Sequence, residues 1–319
     1  MSAEVVNSEP VTAEAEAKTS YKTGFVAMVG LPNAGKSTLV NALIGEKVGI
    51  VSRKPQTTRK RVIGVYQDKT SQIAFVDSPG RIQSETGLNQ YLQKELESIL
   101  RESDACLAIL NIDVQKMSDL LEIAEVVSQA KRPWAILINK TDLDASIGEG
   151  MRELKLRSAL SQYEVPILSV SGIKATPKMC TAILETVKAL LPETTAPLFE
   201  SDIYTTQSSR DLVAEIVREK CFEYLHQEIP YGLAVRVLKF DESQPLLRIA
   251  IEIVVTKDNF VSMVVGKGGS MIKRIGASAR IECEKILGQK VFLETHVKVK
   301  KDWVKNPEIM KELGYVTPE

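Results

Sequence analysis

The sequence predicts two units in tandem: an α/β domain on a mostly parallel sheet with helices on both faces, then a smaller α+β domain. Three observations lead there. Strand-like apolar runs alternate with helical patterns from residue 24 to residue 191. The stretch Leu191–Pro197, with two prolines and two threonines, breaks that alternation and reads as a linker. Beyond it the order changes to helix, two strands, two helices and a strand. A chain of 319 residues is long for one core, so two domains are expected. The expected boundaries are an acidic tail over 1–20, a first domain over 21–192, a linker over 193–208 and a second domain over 209–319.

Residues 1–20 carry Glu4, Glu9, Glu14 and Glu16 against the single Lys18 and few large apolar groups. They read as a disordered tail rather than a signal or transit peptide. Gly24–Val29 then reads as a buried strand. It runs into Gly30-Leu31-Pro32-Asn33-Ala34-Gly35-Lys36-Ser37, and Ser37–Ile44 follows as a helix that Gly45 ends. Strand, glycine loop and helix together make a phosphate cradle. Its backbone N–H groups point inward and the helix N-terminus adds partial positive charge. Lys36 is the group to reach the β- and γ-phosphates, Ser37 is the Mg²⁺ ligand, and Thr38 follows at the helix start.

Further strands are predicted at Val62–Tyr66, Gln72–Val76, Ala105–Ile112, Pro133–Ile138 and Pro166–Val170. Helices are predicted around Leu88–Leu100, Leu120–Val127, Met151–Leu160 and Met179–Leu191. Ligand chemistry in such a sheet sits where strands end. The second of these strands ends in Asp77-Ser78-Pro79-Gly80, which supplies a carboxylate for Mg²⁺ and a free N–H for the γ-phosphate. The strand at Pro133–Ile138 ends in Asn139-Lys140-Thr141-Asp142. A carboxylate at Asp142 accepts from N1–H and the exocyclic amine of guanine, a donor pair adenine lacks. Asn139 and Lys140 brace the base and the phosphate loop. Ser169-Val170-Ser171 stands where a backbone N–H would meet the guanine O6. These motifs describe an α/β P-loop GTPase domain.

Ser52–Arg61 is polar, basic and marked by Pro55, and reads as a switch loop. Thr58 is the better candidate to close onto Mg²⁺, with Thr57 second. Gly80 and Arg81 belong to a second switch. Arg81 occupies the position where fast GTPases carry a water-orienting glutamine, and Gln83 lies two residues on, so slow hydrolysis is expected.

The second domain opens with an amphipathic helix over Asp211–Leu225, followed by strands at Leu233–Phe240 and Leu247–Val255. Phe260–Val265 leads into Gly266-Lys267-Gly268-Gly269, and a helix runs from Ser270 to Leu287. The last strand, Val291–Lys300, alternates, with Glu294, His296, Lys298 and Lys300 on one face. The element order and the G-x-x-G loop match a KH domain, whose loop clamps single-stranded RNA. Net charge is zero, with 41 residues of each sign. Yet Lys257–Lys305 holds eleven Lys/Arg against five Asp/Glu, the footprint of a nucleic-acid surface. That surface is expected at Gly266, Lys267, Gly268 and Gly269 with Lys273, Arg274, Lys298 and Lys300. Cys106, Cys180, Cys221 and Cys283 are scattered and, with His226 and His296, form no metal-ligand pattern. They are expected to be reduced and mostly buried.

The stretches G-x-P-N-x-G-K-S, K-P-Q-T-T-R, D-S-P-G, N-K-x-D and V-x-G-K-G-G resemble the Era family of bacterial GTPases. Glu228–Tyr231 and Lys298–Trp303 resemble it too, and the likeness runs from Tyr21 to Tyr315. Ser78, Arg81 and Val170 depart from the family pattern. The resemblance implies a GTPase domain plus a type II KH domain that binds the 3′ end of small-subunit ribosomal RNA and acts in subunit assembly. It implies GTP or GDP with Mg²⁺, and a potassium ion bound with help from Asn33. It also implies peripheral association with the inner membrane; a cytoplasmic location is expected from the scattered cysteines, and a monomer with no DNA partner is expected as well. The competing reading is a membrane-associated cell-cycle signalling GTPase whose C-terminal domain binds protein. The basic C-terminal end and the G-x-x-G loop favour RNA.

Overall fold

The computed structural model describes residues 21–52, 54, 57–81, 87–144 and 151–316. The acidic tail, Arg53, Pro55, Gln56 and Gln83 lie outside the described residues.

The first unit is a sheet of β1 (Tyr21–Gly30), β2 (Val62–Gln67), β3 (Ser71–Asp77), β4 (Ala105–Asn111), β5 (Trp134–Asn139) and β6 (Ile167–Ser169). Its order is β2-β3-β1-β4-β5-β6, with every pairing parallel except β2 against β3. Because both faces are covered, β3 and β4 are buried at every residue, and Ala105–Leu110 of β4 is a continuous apolar run. One face packs α1 (Lys36–Ile44) and α5 (Pro177–Leu190), and the other packs α2 (Gly87–Glu102), α3 (Met117–Gln129) and α4 (Met151–Leu160). Gly45 caps α1 in the left-handed conformation, as expected of a glycine stop.

The predicted linker is more ordered than its composition suggests. Glu193–Thr194 forms a short strand, β7, antiparallel to the start of β1. The chain then runs back along the exposed edge of β2, where Val65 N donates to Tyr204 O at 2.9 Å and Gly64 bridges Thr205. The Gln72 side chain binds both N–H groups of Leu198 and Phe199. Unpaired groups on a sheet edge attract any chain passing beside them, so these turn residues become a strap.

The second unit holds α6 (Ser209–Tyr224), β8 (Leu233–Asp241), β9 (Leu247–Val255), α7 (Asp258–Val265), α8 (Ser270–Leu287) and β10 (Val291–Val299). Its sheet order is β10-β9-β8, with β9–β10 parallel and β8–β9 antiparallel. The helices cover one face; Ile275, Ala279 and Cys283 of α8, spaced by four, supply its buried stripe. No helix among the described residues is long and apolar enough to cross a membrane.

The two units share a further apolar cluster. Leu88, Tyr91 and Leu92 of α2 meet Ala234 and Val254 through Trp303, Met310, Leu313 and Tyr315 of the C-terminal segment. Trp303 stacks on Tyr315 with 5.5 Å between ring centroids and donates its indole N–H to Gly232 O. Charges seal the opposite side, where Lys47 of the first unit contacts Glu219 and Glu282 of the second.

Candidate functional site at the strand ends

β1 ends at Gly30, and the loop to α1 lies at the C-terminal edge of the sheet between β3 and β4. A cavity of about 1100 Å³ opens there. Pro32, Asn33, Gly35, Lys36, Ser37 and Thr38 line it, as do Thr57, Thr58, Gly80, Asn139, Lys140, Asp142 and Ser171. Gly30, Leu31, Ala34, Asp77, Ser78, Pro79, Ser169 and Val170 do not line it. Ala34 sits in the core, and Ser78 is buried with its hydroxyl donating to Met28 O at 2.5 Å. Gly80 packs on Pro32 so closely that a Cβ there would lie 2.6 Å from the Pro32 backbone. Lys36 is buried and donates to Leu31 O at 3.1 Å and Gly30 O at 3.3 Å.

Three oxygens converge beside Lys36. Ser37 Oγ donates to Asp77 Oδ2 at 2.5 Å, and Thr58 Oγ1 lies 3.1 Å from Ser37 Oγ and 3.3 Å from Asp77 Oδ2. Asp77 is fully buried, and its Oδ1 has no partner. A buried carboxylate with an unmatched oxygen beside two hydroxyls is a hard-oxygen donor set of the kind Mg²⁺ takes. Burial pushes Asp77 above the usual carboxylate range, with Lys36, Ser37 and Thr58 pulling against it. Burial likewise lowers the Lys36 pKa, opposed by Asp77. Thr58, not Thr57, faces this cluster; the Thr57 hydroxyl turns back to donate to Lys54 O at 2.7 Å.

At the base end, Asn139 ties the loops together. Its Nδ2 donates to Ala34 O at 2.8 Å and its Oδ1 accepts from Gly172 N at 3.0 Å. Lys140, with φ +61°, pairs with Asp113 at 2.8 Å, and Asp142 accepts from Ser171 Oγ at 2.7 Å. Of the Ser169-Val170-Ser171 triplet, only Ser171 reaches the cavity. Val170 is buried in the core and its N–H donates to Ile138 O at 2.8 Å, while Ser169 bonds Glu153 and Arg157 on the outer side. This bond to β5 lies one residue past the end of β6 and uses up the Val170 N–H.

Arg81 points elsewhere. Its guanidinium pairs with Glu122 of α3 at 2.8 Å, and its backbone N–H donates to Gly30 O at 3.1 Å.

Sequence reasoning missed part of the wall. Asn111 ends β4 and Asp113 lies two residues beyond it, and their place at a strand end could have flagged them. Glu219, Phe222, Glu223 and His226 of the second unit also line the cavity, and no linear pattern signals this.

The loop expected to meet RNA projects between α7 and α8. Gly266, Gly268 and Gly269 all have positive φ (+73°, +60° and +78°), and Lys267 and Gly268 are exposed. Lys273 is exposed just beyond, and the Arg274 guanidinium lies 4.3 Å from the Tyr224 ring centroid. Lys298 stands out on the open sheet face, 3.9 Å from Glu252. Lys300 departs from expectation: it is only 14% exposed and is held by Glu312 of α9 (Pro307–Glu312), so folding of the C-terminal segment withdraws it from the basic face.

Residues 25–140 match the family described as 50S ribosome-binding GTPase, and residues 228–304 match the KH domain family. The GTPase Era of Geobacter metallireducens is 39% identical over 300 residues, covering 92% of this chain and 98% of that protein. The GTPase Era of Neisseria meningitidis serogroup A is 36% identical over 307 residues, covering 96% and 99%. Among solved structures, a variant of Aquifex aeolicus Era bound to GDP·AlF4⁻ aligns with a TM-score of 0.85 at 34% identity, covering 92% of this chain and 99% of that one. The crystal structure of Era with MgGDPNP and nucleotides 1506–1542 of 16S ribosomal RNA aligns with the same TM-score, identity and coverage.

Proposed function

The chain belongs to the Era family of GTPases, and from that premise we propose that it is a GTP-hydrolysing switch that binds the 3′ end of 16S ribosomal RNA during small-subunit assembly. The observation that carries this reading is the near full-length likeness to Era in complex with MgGDPNP and that RNA segment. It is supported by a phosphate loop, a base-reading aspartate and an exposed G-x-x-G loop in one chain.

Lys36 and the loop amides hold the phosphates, and Asp142 selects guanine. Ser37 and Thr58, with Asp77 behind them, would hold Mg²⁺, which would supply positive charge against the phosphates. Asn33, on the cavity wall, would help hold a potassium ion, and on that reading turnover in K⁺ is expected to exceed turnover in Na⁺. Gly266–Gly269 let the backbone approach RNA phosphates closely, and Lys267 and Lys273 add charge. The protein works in the cytoplasm on the small ribosomal subunit, with a peripheral fraction on the inner membrane.

The test is titration of a single-stranded RNA from the 16S 3′ end against the protein in GTP-analogue and GDP states. Wild type binds in at least one state. Gly268→Asp abolishes binding and leaves GTP affinity intact, because it adds a negative charge and a Cβ at positive φ on the exposed loop. Absence of binding by wild type in both states rejects the RNA reading.

A further inference from the structure

Thr58 reaches Ser37 and Asp77 only if the peptide before it is held in place, and the holding group comes from the other domain. Arg218 of α6 donates a hydrogen bond to the Thr57 carbonyl, across 161 residues of sequence. It is 1% exposed, and its Nε donates to Glu215 at 2.9 Å, which fixes the guanidinium plane. Its flat face lies 5.4 Å from the Phe222 ring centroid. Arg59, on the other side of Thr58, is also 1% exposed and lies 5.8 Å from the same ring. Thr58 is therefore gripped from both flanks, by Arg218 at Thr57 and by the buried side chain of Arg59.

We propose that Arg218 is a positioning residue for GTP hydrolysis: from the KH domain, through the Thr57 carbonyl, it sets Thr58 Oγ1 at the Mg²⁺ site. The physical ground is rigidity. An exposed switch loop loses conformational entropy when it closes. A guanidinium already locked by Glu215 and Phe222 offers the Thr57 carbonyl a charged donor at a fixed point, so that closing costs less. A carbonyl held in this way restricts rotation of the one peptide that carries Thr58. The KH domain is then part of the GTPase machinery as well as the RNA-binding part.

The inference rests on the assignment of Thr58 to Mg²⁺, so its test includes Thr58. Single-turnover hydrolysis, Mg²⁺ titration and GDP affinity are measured on the full chain for Thr58→Ala, Arg218→Met, Arg218→Lys, Glu215→Gln and the Thr58→Ala/Arg218→Met double variant. Arg218→Met is expected to slow hydrolysis at least tenfold and to raise the Mg²⁺ concentration for half-maximal activity, with GDP affinity within twofold of wild type. Arg218→Lys, which keeps a donor, is expected to recover part of the loss. In the Thr58→Ala background, Arg218→Met is expected to change the rate by less than twofold, because both act through one contact. A full additional loss in that background, or wild-type hydrolysis by Arg218→Met, overturns the proposal. Should Arg218→Met fail to fold, Glu215→Gln decides it: a smaller loss with the same Mg²⁺ shift supports the role, and no shift removes it. Wild-type activity of Thr58→Ala takes down the Mg²⁺ assignment itself, a result distinct from additivity.

Discussion

The guanidinium of Arg59 donates to the carbonyl of Leu233 at 2.6 Å, joining the loop after α1 in the first domain to the first strand of the second. The same group reaches Tyr231 O at 2.9 Å and Pro230 O at 3.1 Å, the carbonyls of one 3₁₀ turn. No carboxylate is among these partners; the negative end of that turn takes the role. Arg59→Met is expected to destabilise the protein by about 1–3 kcal/mol, because buried carbonyls lose their donor. Arg59→Lys should restore little, since an ammonium cannot span the same fork. Thermal unfolding of the three proteins checks this; equal midpoints would show the contact to be idle.

On the proposed reading Asp142 selects the base: its carboxylate, 2.7 Å from Ser171 Oγ on the cavity wall, would accept from two donors on a purine edge. Asp142→Asn is expected to weaken GDP binding roughly 10- to 100-fold, because an amide presents a donor where an acceptor is required. Xanthosine diphosphate, with a carbonyl in place of the exocyclic amine, should bind this variant better than GDP. Competition titration reads both.

Arg81, paired with Glu122, brings no water-orienting amide to the cavity. Intrinsic turnover of the purified protein is expected on the order of 10⁻⁴ to 10⁻² s⁻¹. Phosphate release measured without RNA or a partner tests this, and a rate of several per second would contradict it.

Trp303 is fully buried between α2 and β8, stacked on Tyr315 and bonded to Gly232. Trp303→Ala is expected to cost about 3–5 kcal/mol through the cavity it leaves. The loss should appear as a lower unfolding midpoint and as faster proteolysis at the junction of the domains. An unchanged midpoint would mean the C-terminal segment is not part of the cooperative fold.

Burial pushes the thiols of Cys106, Cys221 and Cys283 up to about 12. Unfolded thiols lose their protons near 9, so between these values the unfolded state releases protons and gains as pH rises. Stability is therefore expected to hold below pH ~9 and to decline above it. Replacing the three by alanine should flatten that slope. At pH 8 the native thiols should resist alkylation and react only after denaturation.

The nucleotide site was legible in sequence because its chemistry is carried by short contiguous segments at strand ends. Gly30–Ser37, Asp77–Gly80 and Asn139–Asp142 need only a parallel sheet to meet, and the apolar runs of β1, β3 and β5 announce that sheet. Thr58 was expected ahead of Thr57 as the switch threonine, and Thr58 Oγ1 lies 3.1 Å from Ser37 Oγ while the Thr57 hydroxyl turns to Lys54 O. The triplet at Ser169 was read less well. Its motif says nothing about how far β6 pairing extends, and that pairing takes the Val170 N–H.

By itself the sequence determined the fold class of both domains and the order of their elements, and its motifs carry the reading of the ligand, since periodicity and motif spacing are local properties. Tertiary structure alone decided what the switch loop is fastened to. Arg59 and Arg218 look like ordinary surface charges in a polar stretch and on an amphipathic helix. Their burial depends on Leu233 O and Thr57 O, which lie 174 and 161 residues away along the chain. A guanidinium can be buried only where such acceptors are already arranged, and that arrangement exists only once the two domains have packed.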